Sequence, residues 1–398
     1  MILAFNLPNR TSQPARWIPV IFVFCVTLLL PSDDLTAQDV YYPADWGTWK
    51  SAEPASLGFD VEKLASAVQF AKESENQQTR DLAALIKQGF QREPHFSIIG
   101  PTKPREGSSG MIIRRGIIAA EWGDVDRVDM TFSVTKSYLS TVAGLALDQG
   151  LIRDVHDPVR LYIRDGKFDA EHNRDITWHH LLTQTSDWSG ELWGKPDWAD
   201  RPVGNDETKW QDRQLHQPGD HFKYNDVRVN LLAYCLTHLY RKPLPVVLRE
   251  NIMDPIGASP TWRWNGYINS WVTIDGQKVQ VVSGGGHWGG GMFISTRDHA
   301  RFGLLFLREG QWQGQQLISK EWIEAARQPA KANPSYGYMW WLNTNQQRLK
   351  AATESSFHGA GFGGNFIYVD PDNDLLVVLR WTPDLNGVVE KVLDAINP

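Results

Sequence analysis

Cysteine is nearly absent: the 398-residue chain has two, Cys25 and Cys235, and the first lies in an apolar N-terminal stretch. Once that stretch is removed, one thiol remains, no intrachain disulfide can form, and the fold must rest on its core. Cys235 sits in the run Asn230-Leu231-Leu232-Ala233-Tyr234-Cys235-Leu236 and reads as a small buried hydrophobe rather than a nucleophile. Long basic runs are missing too. With a net charge of -6, a pI near 6.0 and no zinc-finger or RNP-like pattern, nucleic acid is not an expected partner. Eleven histidines are present but never in a His-Glu-x-x-His spacing, so neither a metal nor another cofactor is expected. The glycine triplets at 284–286 and 289–291 lack a following Lys-Ser/Thr and make no phosphate loop. Gly-x-Ser-x-Gly is absent, which argues against an α/β-hydrolase. There is no internal repeat and no low-complexity tract.

Apolar residues make up 42% and charged residues 22% of the chain, the balance of a globular protein with a sizeable core. The N-terminus differs in kind. Arg10 and Arg16 precede an apolar stretch at residues 17–30, followed by a polar segment that ends at Ala37. A charged region, a short apolar region and a small residue describe a secretory signal, with cleavage expected after Ala37. The apolar stretch falls short of the ~20 residues of a comfortable membrane span, so the mature chain is expected to carry none, with an uncleaved anchor as the alternative. The protein is therefore expected outside the cytoplasm, periplasmic or secreted.

Residues 38–56 are rich in Pro, Asp and Trp without period and read as an extended arm. Asp60 caps a helix with Val61, Leu64, Val68 and Ala71 on one face. Residues 73–110 are polar, with one helical patch at 81–90, and read as a surface excursion. Two strands at 111–113 and 117–119 flank Arg114-Arg115-Gly116 as a hairpin. A small-residue helix follows at 130–150, then helical patches at 177–184, 226–240 and 243–252. Ser295-Thr296-Arg297-Asp298 opens another helix. Strands at 336–342, 362–369 and 375–381 and a helix at 388–396 close the chain. The pattern predicts an α/β fold, more narrowly α+β. Its antiparallel sheet comes from both chain ends (about 57–130 and 291–398), is flanked by helices, and has a mostly helical lobe (about 131–290) inserted between them.

Chemistry concentrates in three places. Ser133-Val134-Thr135-Lys136 opens the small-residue helix, so the hydroxyl sits at a helix N-terminus with a lysine one turn on, on the same face. A serine needs a base to be nucleophilic, and helix-start N-H groups can receive an oxyanion. Ser-x-x-Lys alone is weak, since capping and surface charge produce it as well. The second place is Phe222-Lys223-Tyr224-Asn225-Asp226, just before an apolar helix. Tyr224 there could shuttle a proton, while the bland reading has Asn225 or Asp226 capping and Tyr224 packing. The third is Phe357-His358-Gly359-Ala360-Gly361-Phe362-Gly363-Gly364-Asn365, where glycines allow close backbone approach to a substrate. A plain glycine-rich hairpin connection is its alternative.

These elements, in this order, resemble the serine β-lactamase and penicillin-binding superfamily, and most nearly its class C β-lactamase and carboxylesterase-like branches. Trp178-His179-His180-Leu181-Leu182-Thr183-Gln184-Thr185-Ser186 is similar to the family's HLLTHTSG segment. Gly290-Gly291-Met292 with Ser295-Thr296-Arg297-Asp298 is similar to GGL-x-ST-x-x-D. The resemblance spans about residues 50–395. It implies Ser133 as nucleophile, Lys136 and Tyr224 sharing the acid and base work, and His358 in the place of the third motif's Lys or His. It also implies an oxyanion hole of the Ser133 and Gly361 N-H groups.

Two departures stand out: Asp226 where Tyr-x-Asn has an amide, and Ala360 where a glycine is usual. Asp226 would move proton work from Lys136 toward Tyr224 and would disfavour the carboxylate of penicillins, unless Asn225 swings into the amide's role. Glu191 is followed by Lys195 where class A enzymes have Asn, which argues against their deacylation mechanism. The expected function is an acyl-enzyme serine hydrolase acting on small esters or amides. The alternatives are a β-lactamase, a D-Ala-D-Ala carboxypeptidase, or an inactive binding scaffold. Oligomeric state is left open. The tryptophans at 188, 193, 198 and 210, and at 340 and 341, are expected to pack the lobe, with an apolar or sugar-binding cleft as the alternative.

Overall fold

The computed structural model describes residues 40–397; the expected signal at 1–37 and the first residues of the arm lie outside them. Helices α1 (Val61–Glu73) and α2 (Leu82–Phe90) lead into strands β1 (Ser109–Arg114), β2 (Ile117–Trp122) and β3 (Asp129–Met130). The middle of the chain holds α3 (Thr135–Asp148), α4 (Trp178–Leu182), the small hairpin of β4 (Glu191–Leu192) and β5 (Lys195–Pro196), α5 (Asp226–Tyr240) and α6 (Leu244–Leu248). Strands β6 (Arg263–Ile274), β7 (Gln277–Val282) and β8 (Gly291–Ile294) precede α7 (Thr296–Leu307), β9 (Gln311–Trp312), β10 (Gln315–Gln316) and α8 (Lys320–Ala326). The chain closes with β11 (Trp341–Leu342), β12 (Phe357–Gly361), β13 (Asn365–Asp370), β14 (Leu375–Arg380) and α9 (Leu385–Asp394).

The main sheet runs β11-β12-β13-β14-β1-β2, every pair antiparallel, so strands from both ends of the chain meet where β1 pairs with β14 from Ser109↔Arg380 to Arg114↔Leu375. Alternation along each strand supplies two apolar faces. Tyr368, Leu375, Val377 and Leu379 pack with Leu64 and Ala71 of α1 and Val388 and Val392 of α9. Ile367, Val369, Leu376 and Val378 face the other way, into the large core that includes α3, α5 and α7. Helix α3 has no exposed face over most of its length, because every residue from Thr135 to Ala146 is buried. The arm covers β2, the sheet's edge strand: Ala52 N donates to Ile118 O at 3.1 Å and Ile118 N to Lys50 O at 3.0 Å. Buried Arg301 grips the same arm through the carbonyls of Pro43, Ala44 and Asp45.

Three expectations change. The inserted lobe, expected to be mostly helical, also carries strands: β6 and β7 form a long hairpin that joins β8 and β3 in a second sheet, ordered β3-β8-β6-β7. Its turn, Asp275-Gly276, has φ of 52° and 78°, the double positive φ of a type I′ turn, a local signal that a search for helical period passes over. Residues 73–110 are not a surface excursion either, because Leu82, Leu85 and Ile86 pack with Met130, Phe132 and Trp381. Finally, Phe357–Gly361 is itself a strand, and the chain reverses at Gly363 and Gly364, whose φ of 86° and 94° suit glycine.

Candidate active site

Between β3 and α3 the chain makes a strained elbow. Phe132, a bulky residue, has φ of 51°, and Ser133 follows in a short 3-10 turn that runs into α3. Buried contacts over-determine that shape. Thr135 Oγ1 donates to Phe132 O at 2.5 Å and accepts from Met292 N at 3.0 Å. His299 is hydrogen-bonded to Thr131 at 2.7 Å and to Tyr138 at 2.8 Å. Ser133 is left partly open while Val134, Thr135 and Lys136 are buried.

The lysine is placed by the helical spacing. Lys136 Nζ donates to Ser133 Oγ at 2.9 Å and to Asp226 Oδ1 at 2.7 Å, with both charged side chains 1% exposed. The capping question is resolved in favour of Asn225: its side chain accepts from Arg228 N at 3.0 Å and donates to Asp197 O at 2.7 Å. Asn225 is fully buried in those bonds and does not reach the substrate side, a correction to its expected role. Asp226 instead turns inward, its backbone N-H meeting the Asp200 carboxylate.

Asp226 is shared. Its second oxygen accepts from Arg201 Nη1 at 2.8 Å, and the same nitrogen donates to Asp200 Oδ1 at 2.6 Å. Burial favours a neutral Asp226, yet Lys136 and then Arg201 outweigh it and hold the carboxyl well below its usual range. Arg201 Nη2 donates to His287 Nδ1 at 2.9 Å, so the ring proton is on Nε2, which donates to Glu93 Oε2 at 2.6 Å. Glu93, Asp200 and His287 place one ligand atom each within 4.8 Å, a spacing that suits a metal ion. Arg201 and the Glu93–His287 bond already engage those atoms, and the guanidinium supplies the positive charge there.

Tyr224 is brought to the site by its ring. Lys136 Nζ lies 4.7 Å and Arg201 Cζ 5.2 Å from the ring centroid, and Trp341 stacks on Tyr224 at 5.8 Å and 15°. Its hydroxyl makes no hydrogen bond to Ser133 or Lys136 among the described residues. Trp341 is therefore part of the site, while Trp178, Trp188, Trp288, Trp322, Trp340 and Trp381 are buried packing.

Glycines make room for this arrangement. A Cβ on Gly285 would fall on Asp226 Oδ1 and Lys136 Nζ, so the triplet at 284–286 is the floor beneath the ion pair. Across the nucleophile, a Cβ on Gly361 would meet Thr131 O and lie 3.3 Å from Ser133 N, and one on Gly359 would lie 3.0 Å from Ser137 Oγ. Gly359 and Gly361 thus face α3, and by strand alternation His358 and Ala360 project to the opposite face. There His358 pairs in register with Tyr368, lies 2% exposed with Nδ1 unbonded, and is pushed down to about 3 by burial, with Arg348 adding to the effect. His358 is therefore not a cation for substrate, and the register of β12 is the reason.

The sequence pattern that defines the family described as Beta-lactamase matches residues 120–389, which contain every element of this site except Glu93. The chain belongs to the beta-lactamase family. Within and around it, the chain is 23% identical to the 6-aminohexanoate-dimer hydrolase of Paenarthrobacter ureafaciens over 63% of its own length and 64% of that protein's. Two solved structures share the fold. EstCE1, described as a hydrolase with promiscuous acyltransferase activity, superposes with a TM-score of 0.56 at 16% identity, covering 85% of this chain and 99% of that one. The octameric penicillin-binding protein homologue from Pyrococcus abyssi gives 0.56 at 17% identity, covering 85% and 78%. In this beta-lactamase family member Asp226 stands beside the lysine, and β12 presents glycines to α3 at 359 and 361.

Glu93, Asp200, Arg201, His287 and Gly285 escaped the sequence reading. They come from three separate stretches, and no spacing along the chain links them. The only visible signal was the glycine triplet itself.

Proposed function

We propose that this chain is a serine hydrolase that forms an acyl-enzyme on Ser133 and cleaves ester or amide bonds of small substrates. The observation that carries the reading is the 2.9 Å bond from Lys136 Nζ to Ser133 Oγ at the mouth of a strained elbow. Ser133 Oγ attacks the substrate carbonyl carbon, and its proton passes to Tyr224, which takes it as the phenolate, the group left to accept it while Lys136 donates to both the serine and Asp226. The carbonyl oxygen takes up the negative charge beside Ser133 N and the backbone at Gly361. Tyr224 then returns the proton to the leaving alcohol or amine, and water releases the acyl group by the same steps in reverse order.

Esters and simple amides are preferred over β-lactams in this reading. Penicillins and cephalosporins carry a carboxylate, and β12 offers it no cation, since His358 faces away; Asp226 can only accept, and Arg201 beside it is already paired with Asp200 and Asp226, so it has hydrogen bonds to offer but no uncompensated charge. The name of the similar 6-aminohexanoate-dimer hydrolase supports hydrolysis of a small substrate. A binding scaffold without activity is the second reading, and the assembled Ser133, Lys136 and Tyr224 count against it. Labelling with a fluorophosphonate and mapping by mass spectrometry decides between them. A single adduct on Ser133, lost in Ser133→Ala, is expected, and an unlabelled folded protein would favour the scaffold.

Export belongs to the same proposal. N-terminal sequencing of protein recovered outside the cytoplasm should read from Gln38, whereas a membrane-bound chain retaining residues 17–30 would show an anchor.

A further inference from the structure

Arg201 stands out among the residues around Ser133. Its backbone is left-handed, with φ of 48°, a conformation uncommon for a residue with a long side chain. Two side chains hold it there: Glu93 Oε1 accepts from Arg201 N at 3.2 Å, and Lys223 Nζ donates to Arg201 O. The guanidinium is then pinned at one end by Asp200, Asp226 and His287. Three of its five N-H groups are used in that way. The Nε-H and one Nη2-H have no acceptor among the described residues, and the side chain is 31% exposed, unlike its buried partners. Aromatic rings flank it, Tyr224 at 5.2 Å and Phe90 at 5.6 Å from Cζ, and Phe90 in turn lies 5.3 Å from Phe362.

An arginine so constrained has lost little freedom left to lose, and a Nε-H with a neighbouring Nη2-H forms a planar fork that matches two lone pairs of a carbonyl or carboxylate. The local charges balance: Lys136, Arg201 and Lys223 oppose Asp226, Asp200 and Glu93 within one hydrogen-bonded network. A free fork on a neutralised cluster suits recognition by hydrogen bonding, not bulk attraction of anions. The same chain of bonds ties the fork to Lys136, so its position relative to the nucleophile is fixed.

We propose that Arg201 is a specificity-determining residue that receives a second oxygen acceptor of the substrate, a carbonyl or a carboxylate, in addition to the carbonyl attacked by Ser133. This rests on the acyl-enzyme reading above and narrows it to esters or amides that carry another carbonyl or carboxylate a few atoms from the scissile bond.

The test compares matched esters with the full mature chain. Methyl pentanoate is set against monomethyl glutarate and methyl glutaramate, and butyl acetate against 4-acetoxybutanoate. In one of the two series the oxygen-bearing ester should be favoured at least tenfold in kcat/KM, mainly through KM. Arg201→Met should bring that ratio to within threefold of unity, whatever its effect on overall turnover. The glutaramate arm separates a neutral carbonyl from a carboxylate. Ligand-observed NMR with Ser133→Ala, with Arg201 intact, reads the same preference as binding and needs no turnover. If the ester reading fails, turnover is absent but this binding preference persists. Equal binding of the matched esters in both series, or a preference that survives in folded Arg201→Met, overturns the proposal.

Discussion

Asp226 places one oxygen 2.7 Å from Lys136 and the other 2.8 Å from Arg201, so a single buried carboxylate joins the lysine beside the nucleophile to an arginine from a distant loop. Asp226→Asn leaves the buried Lys136 and the partly exposed Arg201 with one negative charge fewer to balance them. Removing one partner of a buried pair costs about 3–5 kcal/mol, so a marked fall in melting temperature is expected, together with a displaced pH-rate profile. Because the folded carboxyl titrates below the unfolded value of about 3.9, its contribution is present above that pH and is lost as the solution becomes more acid. A variant with unchanged melting and an unchanged profile would show that the pair has no role in either.

Tyr224→Phe keeps the ring on Trp341 and beneath the two cations but removes the hydroxyl. A turnover loss of ~100-fold or more is expected with near-normal stability. Steady-state kinetics on a short-chain aryl ester would decide it, and near-normal turnover would return the proton-accepting role to Lys136.

Gly285→Ala introduces one methyl group where Asp226 and Lys136 meet. The pair must separate or the backbone of 284–286 must move, at about 1–3 kcal/mol for such overpacking. Thermal unfolding and turnover should fall together, since the atoms displaced are those that hold Ser133. Normal values for both would mean that the floor of the site yields freely.

His358→Phe tests the register of β12 and a pH effect at once. His358 is pushed down to about 3, and His180 to about 4, both chiefly by burial. Unfolded histidines take up protons below about 6.5 while these stay neutral in the fold, so stability falls as pH drops from 6.5 toward 4. At pH 4.5 His358 alone should account for on the order of 2 kcal/mol. In His358→Phe the gap between melting temperatures at pH 7 and pH 4.5 should narrow, and ester turnover at pH 7 should stay within threefold. A large loss of turnover at full stability would restore His358 to the substrate side.

Local signals in the chain were enough for the nucleophile's neighbourhood. Ser133 and Lys136 lie one helical turn apart, so any helix starting there brings amine and hydroxyl together. The pairing of the two chain ends in one sheet was likewise legible, since short apolar runs bounded by turn residues stand at 111–119 and 362–381 with helices between. What sequence reading missed was long-range or a matter of parity. Arg201, His287 and Glu93 converge on Asp226 from segments up to 194 positions apart, and no spacing rule connects them. His358 was misplaced because a strand shows alternate residues to opposite faces, and only pairing with β13 decides that glycines, and not the histidine, look at Ser133. Chain chemistry determined which groups were available. Tertiary packing decided which of them share a buried charge, because the energy of an ion pair depends on distance and burial, and neither is written in residue order.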